Sequence, residues 1–357
     1  MHHCSEVKFS QSPKLDFTAP IGYALWAYPI GAVNPRKNAD SLSRWEVLFR
    51  ALRDRLSQPT AEHPCSRIWK ETDLVGEIAA MTARHRGELK WTFPAGKLVV
   101  ERMKSMGWLR AVALEPSADG KPPPVLYLVD MEATENEFLD ARELLQGFQP
   151  AGVLCYFAVL ALHELTTQVP AFAHVATLQT PPPRTALPLP SAPHEVPNRQ
   201  SAARNPLGTE VFRYQGRACL VTKRDRSLVP GIQIREAGKR TWLRVTTLEQ
   251  ALLDTLLHPL RCGGEGVVFE AWERGAQRWN PARLASHLEA INRLDFDRRV
   301  GTMLEVIGVG ADSEPLRARL TSARAQVKVA GDGLSELELL PDFTYSRLNA
   351  EWRVRVP

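Results

Sequence analysis

The sequence predicts an α+β (mixed α/β) protein in which an N-terminal winged helix-turn-helix precedes a larger α/β domain. The chain has 357 residues, 44% of them hydrophobic, which is enough for two or three globular domains. Residues 67–130 show the order helix, basic connection, helix and hairpin. Residues 208–357 begin with strand-like runs separated by glycines and continue with helical patterns.

Residues 1–66 are predicted to form an N-terminal arm and one helix. Residues 1–40 mix aromatic side chains with prolines and show no period. From Ser41 to Leu56, apolar side chains recur at spacings of three and four, which is typical of an amphipathic helix capped by Asp40 or Ser41.

Residues 67–130 are predicted to form the winged helix. Thr72 opens its second helix, and Thr92 caps the third, which ends near Gly107. The buried side of that third helix is predicted to comprise Leu98, Val99, Met103 and Met106. Two strand-like runs, Trp108–Leu114 and Val125–Val129, enclose a polar loop and predict the wing.

Basic side chains in this segment are the candidate DNA contacts, because several cations on one face attract phosphates whatever the base sequence. The predicted DNA-binding residues are Arg84, Arg86, Lys90, Lys97, Arg102, Lys104, Arg110 and Lys121. Glu101 lies between Lys97 and Lys104 and can pair with either. A small α+β module with a solvated or protein-contacting face therefore stays open as an alternative.

Residues 131–180 are predicted to be a helical segment and a strand that pack with the C-terminal domain. The helices are expected at 135–145 and 152–165, and the strand at 172–178. His163 is expected to be a hydrogen-bonded core or boundary histidine. Residues 181–207 are rich in proline and predict a linker or a surface insert.

Charge is unevenly distributed along the chain, although the net charge is only +5. Residues 131–180 carry six acidic and one basic side chain, whereas residues 181–245 carry twelve basic and four acidic ones. Such segregation suits a polyanionic partner, but it is also compatible with ordinary solvated charge.

Residues 208–357 are predicted to form the C-terminal α/β domain. The predicted strands are 210–214, 217–222, 232–236 and 241–245, followed by a helix that Thr246 or Thr247 caps. Helices at 266–275, 281–292 and 296–307, strands near 325–329 and 336–340, and a C-terminal strand complete the prediction.

No catalytic, cofactor-binding or metal-binding motif occurs in the chain, so we expect no catalytic residues, no cofactor and no metal. A metal-dependent nuclease would require Asp225, Glu236 and Lys239 on adjoining strands, but the glycine-rich turns between them favour surface loops. The five dispersed cysteines indicate buried thiols in a reducing compartment. With no signal peptide or membrane span recognised, a cytoplasmic location is expected.

The run VTTLEQALLDTLLHPLRCGG, from Val245 to Gly264, resembles the signature of AbiEi-type antitoxins of type IV toxin–antitoxin systems. Gln250 and Ala251 replace the arginine and threonine usual in that signature. The run from Tyr156 to Thr177 and the run from Arg298 to Gly308 resemble two further blocks of the family. The signature residues expected to be mostly structural are Leu252, Leu253, Asp254, Pro259, Gly263 and Gly264.

The resemblance implies an antitoxin that takes part in phage defence by abortive infection. Its winged helix would bind inverted repeats of double-stranded DNA in its own promoter and repress transcription, as a monomer or a weak dimer. Its C-terminal α/β domain would counter a cognate nucleotidyltransferase-like toxin, and no membrane partner is expected. The alternative is a non-enzymatic phage-defence protein-interaction module without promoter-specific DNA binding.

Overall fold

A computed structural model describes residues 44–60, 62–84, 96–129, 139–180, 207–238 and 241–357. The predicted aromatic arm and most of the proline-rich segment lie outside these residues. Among the described residues, the chain contains both helices and several β-sheets, so the predicted α+β class is confirmed. No helix in this described part of the chain has the length and apolar character needed to cross a bilayer.

Three helices and a three-stranded sheet form the N-terminal part. In chain order they are α1 (Arg44–Ser57), β1 (Ile68–Lys70), α2 (Glu71–Arg84), α3 (Gly96–Ser105), β2 (Leu109–Ala111) and β3 (Leu126–Val129). The strands are antiparallel in the order β1–β3–β2. This is the topology of a winged helix, with the loop between β2 and β3 as the wing.

Helix α1 belongs to the core of this winged helix. Its buried Leu48 and Leu52 share a hydrophobic cluster with Leu74 of α2 and with Val99 of α3. The boundary at residue 66 that the sequence suggested therefore falls inside a single packing unit, because the helices α2 and α3 need α1 to cover their apolar faces.

The two faces of the sheet β1–β3–β2 pack into two different hydrophobic cores. Trp69 and Tyr127 point towards α1, α2 and α3, whereas Ile68, Leu126 and Leu128 point away from them and join the main core of the molecule. Alternation along a strand sends neighbouring side chains to opposite faces. The winged helix is consequently packed onto the rest of the chain through buried apolar side chains.

A six-stranded mixed sheet lies at the centre of the larger part. Its strands are β4 (Val153–Cys155), β5 (Phe172–Gln179), β6 (Thr209–Tyr214), β7 (Arg217–Asp225), β8 (Ile232–Gly238) and β9 (Thr241–Thr246). Their spatial order is β6–β7–β5–β4–β9–β8, with parallel pairing of β5 with β7 and of β4 with β9. The strands predicted between residues 172 and 245 are therefore confirmed.

Helices pack against this sheet and against one another, and a second three-stranded sheet lies in the C-terminal part. The helices are α4 (Ala141–Phe148), α5 (Phe157–Leu162), α6 (Leu248–Thr255), α7 (Glu265–Gly275), α8 (Pro281–Ile291), α9 (Leu294–Val306) and α10 (Glu314–Ala330). The small sheet has the order β10–β12–β11 and consists of β10 (Leu337–Glu338), β11 (Arg347–Asn349) and β12 (Val354–Val356).

Two predicted elements are wrong. Residues 152–165 do not form one helix, because Val153–Cys155 is a central strand and only Phe157–Leu162 is helical. A short run that is apolar on every side fits a buried strand as well as a buried helix, so periodicity cannot separate them. The strand expected near 325–329 is the last part of α10, whose buried Leu316, Leu320 and Val327 follow helical spacing.

Helix α4 packs against both β1 and the six-stranded sheet, and its backbone approaches β1 closely at Gly147. A Cβ atom added at Gly147 would lie 2.7 Å from the carbonyl oxygen of Ile68. We expect Gly147→Ala to lower the free energy of unfolding by about 1–3 kcal/mol, because the backbone of β1 must move. Urea denaturation checks this.

Gly76→Ala is the matched control, because nothing lies within 4 Å of the added Cβ atom in the middle of α2. It should raise stability by about 0.5–1 kcal/mol, the usual helix-propensity difference between alanine and glycine. Equal effects of the two substitutions would contradict the close packing of α4 on β1.

Candidate nucleic-acid interface

Helix α3 occupies the position of a recognition helix, and its outer face is accessible within the described residues. Val99, Val100 and Met103 form its buried stripe. Lys97 and Arg102 lie on the exposed side of the helix. The face therefore offers two cations to a ligand, as the sequence predicted for these two positions.

Lys104 is less available than its sequence position suggested. Its Nζ atom lies 2.7 Å from Glu101 Oε1 and 4.9 Å from the centroid of the Tyr127 ring. Hydrogen bonding to Glu101, and then to Tyr127, raises the pKa of Lys104 above its ordinary value. The charge of Lys104 is already paired with Glu101. We therefore expect Lys104 to contribute less to phosphate attraction than Lys97.

Arg102 is exposed but is positioned by α1. Its guanidinium carbon lies 4.7 Å from the centroid of the Trp45 ring, and Trp45 stacks on Phe49 at 5.4 Å. When a guanidinium stacks over an aromatic ring, its N–H groups point outward in the guanidinium plane. These N–H groups can therefore still donate to a phosphate oxygen.

Leu98 and Met106 are not on the buried side of α3, which corrects the sequence-based prediction. Leu98 is 57% exposed and Met106 is 39% exposed. Leu98 is rotated away from the stripe that starts at Val99. Met106 lies just after the last helical residue, Ser105, and its amide still donates to the Arg102 carbonyl oxygen. The outer face of α3 is therefore part cationic and part apolar.

The wing is attached to the central sheet. The backbone of Glu115 pairs with that of Arg213 in β6 through two hydrogen bonds of 2.9 and 3.0 Å. The Ala118 amide also donates to Glu210 Oε1 at 2.8 Å. These contacts fix the orientation of the wing relative to the larger part of the molecule.

Lys121, one of the two basic residues predicted to lie on the wing, is exposed and forms an ion pair with Asp119 at 2.5 Å. Hydrogen bonds from Lys121 and from the Ser117 hydroxyl lower the pKa of Asp119 to about 2. The pair carries no net charge at neutral pH, so the wing tip has less attraction for phosphate than the sequence indicated.

The remaining candidate contacts are Arg84, Arg110, Arg86 and Lys90. Arg84 ends α2 and is exposed, and Arg110 is exposed on the edge strand β2. Arg86 and Lys90 lie outside the described residues.

The signature residues occupy the helix α6 and the turn after it. Thr247 caps α6 by accepting a hydrogen bond from the Gln250 amide, and Leu252 and Leu253 are fully buried. Pro259 begins a short 3₁₀ turn. Gly263 and Gly264 follow that turn with φ angles of 100° and 91°, which glycine adopts most readily.

Asp254 makes the contact that sequence reasoning missed. Its two carboxylate oxygens accept hydrogen bonds from Arg224 of β7 at 2.5 and 2.8 Å, and Gln250 donates to it at 2.9 Å. Both partners of this ion pair are nearly completely buried. Thirty residues separate them in the sequence, and no spacing rule links an arginine in a strand with an aspartate in a later helix.

The arrangement required for the nuclease alternative is not formed. Asp225 lies at the end of β7 and Glu236 lies in β8, and three strands separate β7 from β8 in the sheet. Lys239 is outside the described residues. Within the described residues, no group of three or more histidine, cysteine, aspartate or glutamate side chains is placed to hold a metal ion.

The cysteines and His163 were predicted to be buried. Cys65, Cys155, Cys219 and Cys262 are free, buried thiols, as predicted, and Cys4 lies outside the described residues. His163 is also a hydrogen-bonded core residue, with its Nε2 2.9 Å from the Thr246 carbonyl oxygen.

No family model matches the chain, and no curated protein matches it. Among solved structures, the chain is similar to the crystal structure of the RV2827C protein from Mycobacterium tuberculosis, with a TM-score of 0.42 and 13% sequence identity. That alignment covers 86% of this chain and 89% of the other. A similarity this distant indicates nothing about function.

Proposed function

We propose that this chain is a cytoplasmic, DNA-binding antitoxin of a type IV toxin–antitoxin system that represses its own promoter. The observation that carries the proposal is the winged-helix topology, with Lys97 and Arg102 exposed on the outer face of α3. A helix with exposed cations beside a short sheet fits the major groove of a duplex. Inverted repeats of double-stranded DNA are the expected ligand.

The toxin-directed part of the proposal rests on the AbiEi-like signature and not on a surface. Leu252, Leu253 and Asp254 are buried, so they stabilise the domain and do not contact a partner directly. A nucleotidyltransferase-like toxin would meet other residues of the α/β domain. No catalytic role is proposed for this chain.

The DNA-binding proposal predicts a specific loss in the double variant Lys97→Ala/Arg102→Gln. Each lost phosphate contact reduces the steepness of the plot of log binding constant against log salt concentration by about one unit. The slope of this plot should therefore become shallower by about two units in the double variant. Affinity should fall about tenfold or more. Fluorescence anisotropy with a duplex from the region upstream of the gene, measured over a range of salt concentrations, provides both quantities.

The double variant Lys121→Ala/Asp119→Ala is the matched control, because it removes an ion pair that carries no net charge. It should change affinity and salt slope little. If the double variant binds with wild-type affinity and slope while its thermal unfolding is unchanged, α3 is not the DNA-contacting helix.

Exposed Leu98 favours the second candidate function, a protein-interaction module of phage defence. A large apolar side chain that is 57% exposed in the middle of α3 suits a protein contact better than a phosphate contact. Leu98→Glu separates the two functions. It should abolish binding of the co-expressed product of the adjacent gene if α3 contacts protein, and weaken DNA binding if α3 contacts DNA.

A further inference from the structure

The side chains on the outer face of α3 fall into a central ridge and two flanks. The buried stripe of the helix consists of Val99, Val100 and Met103. Successive residues of an α-helix are rotated by about 100° around its axis, so the side opposite that stripe is determined by the sequence. It carries Leu98, Glu101 and Ser105, which are all exposed. We call these three residues the central ridge of α3.

The basic side chains of α3 lie on the two flanks of the central ridge. Lys97 and Lys104 share one flank, where the Lys104 Nζ atom is 4.9 Å from the centroid of the Tyr127 ring. Arg102 lies on the other flank, with its guanidinium carbon 4.7 Å from the centroid of the Trp45 ring of α1. The central ridge is therefore bordered by cations on both sides, and none of its own three members is basic.

This pattern matches the cross-section of a major groove. The groove is about 12 Å wide, the two phosphate backbones border it, and its floor presents the edges of the bases. A helix that enters the groove places its flanks near the phosphates and its central ridge near the base edges. Lys97 and Arg102 would then meet opposite backbones, while the central ridge meets the bases.

Two members of the central ridge are unsuited to contact with phosphate. Leu98 is apolar and offers no hydrogen bond to a phosphate oxygen. Glu101 has a carboxylate, which repels phosphate, and its Oε1 atom is already paired with Lys104 Nζ at 2.7 Å. A carboxylate is, however, a good acceptor for the amino group of a base. The chemistry of the central ridge therefore fits the floor of the groove and not its borders.

Leu98 lies in the N-terminal half of α3, which is the part of a recognition helix that contacts base edges. In the major groove, the C5 methyl group of thymine is the apolar group that the bases present. We infer that Leu98 packs against this methyl group and so makes α3 select a T·A pair in each half of its binding site. The inference rests on the DNA-binding function proposed above and adds which base the helix reads.

The charges around Leu98 favour DNA over a protein as its partner. Cations on both flanks of one exposed leucine suit two phosphate backbones that run along either side of it. Arg102 follows Leu98 by four residues, one helical turn, and the Trp45 ring holds its guanidinium beside the ridge. A contact of Leu98 with protein is an outcome that the experiment below separates.

The test is fluorescence anisotropy of the full chain with duplexes from the region upstream of the gene. In each duplex one thymine is replaced by deoxyuridine, which lacks only the C5 methyl group and keeps the base pair. At one thymine in each half-site, the replacement should weaken binding by the wild type about three- to tenfold, because a buried methyl contact is lost. Replacement of the other thymines should change the affinity little.

Leu98→Ala assigns the methyl contact to this side chain. The variant should bind the thymine duplex about three- to tenfold more weakly than the wild type and should bind the thymine and deoxyuridine duplexes equally, because both changes remove the same contact. Val329→Ala is the matched control, since Val329 is an apolar side chain of α10 that is 89% exposed. It should keep the wild-type affinity and the wild-type response to deoxyuridine. Thermal unfolding verifies that each variant is folded.

Failure of the inference and failure of the proposed function give different results. If the wild type binds none of the duplexes, both are overturned. If it binds them but no deoxyuridine replacement weakens binding, only the inference is overturned. A loss at one thymine that persists in Leu98→Ala comes from DNA shape and also overturns the inference. The same holds if Leu98→Ala binds DNA normally but no longer binds the product of the adjacent gene, which would identify Leu98 as a protein contact.

Discussion

Replacing Asp254 with Asn is expected to lower the free energy of unfolding by about 3–5 kcal/mol. The carboxylate is completely buried, and its only charged partner among the described residues within hydrogen-bonding distance is Arg224. Loss of the negative charge leaves the guanidinium of Arg224 buried without a counterion, which costs more than the hydrogen bonds themselves. Chemical denaturation of the wild type and the variant measures the difference.

Glu314→Gln is the matched control, because Glu314 is 79% exposed and pairs with Arg317 at the surface. It should change stability by less than about 1 kcal/mol. The double variant Arg224→Met/Asp254→Leu should recover much of the loss, since removal of both charges leaves neither unpaired. A cost below about 1 kcal/mol for Asp254→Asn would show that the buried pair is not important for stability.

The second large effect is a loss of stability between pH 7 and pH 5. Burial, together with neighbouring arginines, lowers the pKa of His63 and His174 to about 4 and that of His258 to about 3, compared with 6.5 for an unperturbed histidine. His63 stacks on Trp69 at 3.8 Å and lies beside Arg55, so a proton on its ring is unfavourable in the folded protein.

The sign follows from proton binding. Below pH 6.5 the unfolded chain binds protons at these histidines, whereas the folded chain resists them down to about pH 4 or below. Stability is therefore lost as the pH falls through this window. Each histidine is expected to contribute about 1–2 kcal/mol between pH 7 and pH 5, so the three together should contribute about 3–6 kcal/mol.

Urea denaturation at pH 7, 6 and 5 measures the loss, and histidine proton resonances followed by NMR report each pKa directly. His63→Gln should reduce the loss of stability between pH 7 and pH 5 by about 1–2 kcal/mol, because it removes one of the histidines whose pKa is lowered. A free energy of unfolding that stays constant from pH 7 to pH 5 would contradict the lowered pKa values.

Local patterns in the sequence were sufficient for many elements of the fold. Alternation and glycine turns predicted the strands from residue 209 to 246. The pair Thr246 and Thr247 predicted the start of α6, which Thr247 caps. The order of helices and strands from 71 to 129 predicted the winged helix. These features depend on neighbours a few residues apart, whose effects a sequence displays directly.

Predictions failed where a local pattern fitted two structures or where the decisive neighbour is distant in the sequence. The apolar run after Gly152 is divided between a strand and a short helix because β5 and β9 pair with Val153–Cys155. Lys104 and Lys121 have the charge that their positions predicted, but Glu101 and Asp119 neutralise it.

The sequence by itself determined the α+β class, the winged-helix order and the cations of α3, because helical and strand periods and charge are properties of short segments. Only the tertiary structure decided that the wing is bound to β6, that Arg224 neutralises Asp254, and that two histidines and two arginines meet at Tyr156. Those contacts join residues 18 to 105 positions apart. Their energies come from burial and from charges in a poorly solvated interior, which arise only when the strands have assembled.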